Sequence, residues 1–127
     1  MQTIRRGTWT LASALLFSPL AASAGSFDGN TQLCSSGGST VGYALNAVES
    51  AILAASFVRA SDQSNLLSKL ANANSKTLTH KWSDAMDKLE DISSTANALA
   101  SAAKPKLNSA DAITAAALAA QVCISSL

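Results

Sequence analysis

LTHKWSDAMDKLEDISSTANALASAA, residues 78–103, places apolar side chains at Leu78, Trp82, Ala85, Leu89, Ile92, Ala96, Leu99 and Ala103, in unbroken steps of four and three. A strand would need a period of two. This spacing instead lays one apolar stripe along a helix, in the manner of a coiled-coil seam. Pro105 ends the helix because it has no N–H to donate and its ring crowds the preceding turn, while Lys104 and Lys106 suit the negative end of the helix dipole.

The same periodicity extends in both directions. Toward the C-terminus, Asn108 is expected to cap a last helix with Asp111 in its first turn, and Ile113, Ala116, Ala117, Ala120, Cys123, Ile124 and Leu127 mark its buried side. Toward the N-terminus, Ser61-Asp62 offers a cap for a helix that buries Leu66, Leu67, Leu70 and Ala71. NANSKT, residues 72–77, is rich in weak helix formers whose side chains compete for backbone hydrogen bonds, so a break is expected near it. Before that, Val41, Ala44, Leu45, Val48, Ala51, Ile52, Ala55 and Val58 form a stripe on a first helix from about 40 to 60, capped by Ser39 or Thr40. The phase of the 78–103 seam also runs back through Ala71 and Leu67, so residues 62–103 could form one helix.

The two cysteines bear on this choice. Cys34 and Cys123 are expected to pair, and four antiparallel elements return the end of the last helix to the start of the first. Three elements would leave that end at the far pole, on the order of 30 Å away for a 20-residue helix, whereas disulfide Cα atoms lie within about 7 Å. The expected fold is therefore all-α, a small antiparallel four-helix bundle stapled by one disulfide, with a three-helix variant as the alternative. No CxxC spacing supports redox work, and an intermolecular bridge is the competing use of the cysteines.

Residues 1–24 read as a bacterial secretory signal peptide: Arg5 and Arg6, an apolar run through Leu11, Leu15, Leu16 and Phe17, then Ala22-Ser23-Ala24 before the cleavage site. Residues 25–39 read as an irregular Gly/Ser-rich lead-in and 40–127 as the helical domain. Export to the periplasm or beyond suits a disulfide. Loss of Arg5 and Arg6 would take the formal charge from +1 to −1 with the charges well mixed, so the basic footprint of a nucleic-acid or anionic-membrane binder is lacking. No apolar run after the leader has the roughly 18 residues of a transmembrane span.

Few residue patterns suggest chemistry. His80, the chain's one histidine, stands four residues before Asp84 and seven before Asp87. On a continuous helix these would share a face turned away from Trp82, where they could chelate zinc or copper weakly; a solvated His–Asp face is the plainer expectation. The plan resembles that of periplasmic four-helix cytochromes, but the first helix lacks a methionine and the last lacks both a histidine and CxxCH, so no haem is expected. There is no G-x-S-x-G elbow and no phosphate-binding Gly-Lys-Ser/Thr. The acidic residues Asp84, Asp87, Glu90 and Asp91 fit a solvated face better than a catalytic pair.

The expectation is thus a non-enzymatic protein without a cofactor, acting on another envelope or secreted protein as an adaptor, inhibitor or assembly component. Tyr43, Leu53 and Phe57 lie off the main stripe and are the candidate interaction surface, unless they pack internally. A periplasmic carrier for a small apolar ligand or a metal is the alternative. The oligomeric state is left open.

Overall fold

A computed structural model describes residues 25–35, 38–125 and 127. It contains four helices: α1 (Val41–Ala54), α2 (Ala60–Leu78), α3 (Trp82–Ser101) and α4 (Asp111–Ile124). Each helix packs on two neighbours, in the cyclic order α1, α2, α3, α4, and there is no strand among the described residues. Short connections make neighbouring helices antiparallel. The expected leader, 1–24, lies outside the described residues.

The core follows the stripes. Val41, Leu45, Val48 and Ile52 of α1 meet Leu66, Leu70 and Ala73 of α2, Ala85, Leu89, Ile92 and Ala96 of α3, and Ile113, Ala117 and Ala120 of α4, all fully buried. Alanine at so many of these positions keeps the helices close and the core narrow. Cys34 and Cys123 form the disulfide with their Cα atoms 4.5 Å apart, at the pole where α4 ends beside the start of α1.

The lead-in belongs to the bundle. The first three N–H groups of α1 have no partner within the helix, and all three are satisfied from upstream. Val41 donates to the Gln32 carbonyl at 2.7 Å, Gly42 to the Asn30 carbonyl at 3.0 Å, and Tyr43 to the Thr40 hydroxyl, the expected cap, at 3.0 Å. Gly42 is buried under this strap. A Cβ there would overlap the carbonyl oxygens of Phe27 and Asn30, so only glycine lets the lead-in approach this closely.

Three boundaries differ from the sequence expectation. First, NANSKT is helical throughout. Leu66, Leu70, Ala73 and Thr77 continue the buried stripe in steps of four and three, so burial outweighs the weak propensity of the intervening residues. Ala71 is exposed instead, and Ala73 takes the core position.

The break comes later, at Thr79–Lys81. The His80 N–H donates to the Thr77 carbonyl at 3.1 Å and the Lys81 N–H to the Lys76 carbonyl at 2.8 Å, with His80 at φ 59°. This is a Schellman C-cap, and His80 is its left-handed residue. Leu78 therefore closes α2, 51% exposed, rather than opening α3.

Second, α1 stops at Ala54, six residues short of expectation, because Ser56–Val58 pair with Lys106–Asn108. Val58 N–H donates to the Lys106 carbonyl at 3.0 Å, Asn108 N–H to the Ser56 carbonyl at 3.1 Å, and Phe57 bridges Leu107. Val58 leaves the stripe and is 72% exposed, while Leu107 fills the bottom of the core. Third, Asn108 does not cap α4. Its side-chain oxygen accepts from Ser56 N–H at 3.1 Å, and Ser109 Oγ accepts from the first N–H of α4.

Candidate interaction surface

Charge divides the bundle into two faces. The segment of α2 carries Asp62, Lys69 and Lys76, and that of α3 carries Asp84, Asp87, Lys88, Glu90 and Asp91, with Lys69–Asp91 and Lys76–Asp84 paired at 3.9 and 4.0 Å. By contrast, α1 and α4 hold one charge each. Glu49 is turned to the lead-in, where it accepts from Ser26, and Asp111 sits in the first turn of α4. A charged outer face on α2 and α3 thus stands opposite an almost uncharged one on α1 and α4.

On that second face the exposed residues have a periodicity of their own. Tyr43, Ala47, Ser50 and Ala54 of α1, and Ala112, Ala115, Ala119 and Val122 of α4, all exposed, step by four and three. Each helix therefore carries two seams: one buried in the core and one turned outward. Tyr43 is 70% and Val122 52% exposed. Near the disulfide the two helices leave an apolar recess of about 200 Å³ between Tyr43, Ala47, Ala119 and the Cys34–Cys123 bridge. A protein surface can approach closely here, because most of the side chains end at Cβ.

The three apolar residues singled out from the sequence do not form one patch. Tyr43 lies on the uncharged face. Leu53, 57% exposed, is ten residues on, about 80° round α1 and away from α4. Phe57 lies beyond α1, half-buried against the core and tied to Leu107. An alanine-rich helix offers no contrast between inside and outside, so the sequence alone does not single out the alanines of the Tyr43 face or Val122 as outward-facing. The near absence of charge on the α1 and α4 segments is the readable signal; which phase faces out is settled by the packing.

The histidine site has a different geometry from the one expected. His80 is not on a helix, yet it and Asp84 still line one open surface pocket with Lys81, Trp82 and Ser83; what the helix break changes is the relation to Trp82. The His80 ring meets Trp82 edge-on, with centroids 5.3 Å apart and planes at 84°. Asp84 is paired with Lys76, and Asp87 is exposed on α3. Among the described residues no group of three or more His, Cys, Asp or Glu side chains is placed to hold a metal ion. No described helix is long and apolar enough to cross a membrane.

No family model, no curated protein and no solved structure matches this chain.

Proposed function

We propose that the chain is an exported, non-enzymatic helical protein that acts through protein–protein contacts in the bacterial envelope, as an adaptor, inhibitor or assembly component, and that it makes those contacts with the outer α1–α4 face. The observation carrying this reading is the two-sided charge distribution: one face dressed for water, the other almost uncharged and studded with Tyr43 and Val122. A protein face lacking charge at its centre and carrying aromatic and aliphatic anchors has the composition of an interface core. The disulfide is compatible with export.

Site-specific photo-crosslinking in the exporting cell tests this. A benzophenone side chain at Ala47 or Ala119 should give protein adducts, and one at Ser68, on the outside of α2, should not. Equal adducts from both faces, or none from Ala47 and Ala119, would sink the proposal. The second reading, a carrier for a small apolar ligand, draws on the recess beside the disulfide. It requires a melting temperature that rises with added ligand and ceases to rise when Ala119→Trp fills the recess.

A further inference from the structure

We infer that the occupant of the α1–α4 face is a second copy of this chain, joined face to face about a two-fold axis. The inference rests on the docking reading above and goes beyond it in naming the partner. The argument begins with charge. Covering Tyr43, Ala47, Ala115, Ala119 and Val122 removes them from water, and any charge the partner set against them would be buried without an ion pair, at a cost of several kcal/mol. The partner must therefore present an uncharged surface. The same face of another copy has that chemistry over its centre, with Glu49 turned to the lead-in and the exposed Asp111, one turn before Ala115, confined to the edge at the start of α4.

Geometry agrees. In an isologous pair every position on the face is used twice, so the surface must be self-complementary. The outward seams on α1 and α4 have the three- and four-residue spacing with which helices interdigitate, and their alanines let backbones come close. The net formal charge of residues 25–127, seven Lys and Arg against eight Asp and Glu, adds little repulsion between copies.

Area sets the strength. Helices of 14 residues are about 21 Å long and neighbours lie about 10 Å apart, so the two-helix face measures roughly 20 by 20 Å. Two copies would bury on the order of 1,000 Å² in total, at the lower bound for a specific interface. The pair is accordingly a weak one, forming and parting with concentration.

Sedimentation velocity on the oxidised protein, from about 1 μM to about 1 mM, reads this directly. The chain should pass from monomer to dimer across that range. Ala119→Glu places a charge on the face in both copies and should weaken dimerisation by at least about tenfold, with helix content and melting unchanged because the site is exposed. Ser68→Glu, on the opposite side of the bundle, should leave the dimer intact. A wild-type chain that stays monomeric at about 1 mM overturns the inference, as does a dimer that survives Ala119→Glu. The docking reading stands apart from it: adducts at Ala47 and Ala119 to a different protein, together with a monomer in sedimentation, would uphold the face and reject the second copy.

Discussion

Thr77→Val is the substitution that most sharply tests how the lead-in is joined to the bundle. Thr77 is fully buried, and its hydroxyl accepts from Asn30 Nδ2 at 2.8 Å while donating to the Asn74 carbonyl at 2.7 Å. Asn30, 2% exposed, spends its other amide hydrogen on Asn74 Oδ1 at 2.9 Å and accepts from Gln32 Nε2 at 3.1 Å. Gln32 returns to α2 by donating to the Thr77 carbonyl at 3.0 Å.

Valine keeps the shape and removes the acceptor. One Asn30 N–H is then orphaned out of reach of water, which costs about 1–3 kcal/mol, against a gain of about 0.8 kcal/mol for the added buried methyl group. The loss of the hydroxyl's bond to Asn74 is small, since that carbonyl already serves the helix ladder. The net expectation is destabilisation of about 1–2 kcal/mol.

Urea unfolding followed by Trp82 fluorescence would measure it. With a slope of about 1–2 kcal/mol/M for a chain of this size, the midpoint should fall by roughly 1 M. The double variant with Asn30→Ala should lose less than the sum of the two single changes, because the orphaned group is gone. A midpoint at or above that of wild type in Thr77→Val, or strict additivity in the double variant, would refute the network.

Other expectations follow from the same structure. Gly42→Ala drives a methyl group into the backbone of Phe27 and Asn30 and should cost about 2–3 kcal/mol, visible as a lower melting temperature. His80→Gly should relieve the left-handed C-cap and stabilise the chain by up to about 1 kcal/mol, whereas His80→Val should destabilise it; the reverse order in urea unfolding would contradict the Schellman assignment. Replacing both Cys34 and Cys123 by serine reopens a loop of 89 residues and should cost roughly 4–5 kcal/mol in the chain-entropy model, read as a shift in the unfolding midpoint.

The seam over residues 78–103 carries most of the fold because six of its eight positions, Trp82, Ala85, Leu89, Ile92, Ala96 and Leu99, lie on the inward side of α3, while its end positions Leu78 and Ala103 fall outside that helix and are exposed. The four-element layout was legible only through the cysteines, whose pairing requires α4 to end beside the start of α1. NANSKT misled because its propensity is local, whereas the bonds that settle it reach from Thr77 to Asn30, 47 residues earlier. Asn108 misled for a similar reason: its cap-like position is overridden by a bond to Ser56, a residue distant in sequence.

The same holds for the surface. Tyr43 could be found as an aromatic off the core stripe. Ala47, Ala112, Ala115 and Ala119 could not, since alanine serves core and surface alike and only the bundle shows which phase faces out. His80 meets the edge of Trp82 instead of turning away from it, because angular reasoning assumes an unbroken helix and a left-handed residue resets the phase.

Hydroxyl-radical footprinting of Tyr43 and Val122, in the exporting cell and in dilute purified protein, tests the central claim most directly. Both residues are more than half exposed, so both should be modified readily in dilute solution. The α1–α4 docking face requires them to be protected in the cell while Leu78, 51% exposed at the α2–α3 turn, remains reactive. Equal modification of Tyr43 and Val122 in the two settings, or protection of Leu78 alone, would contradict it.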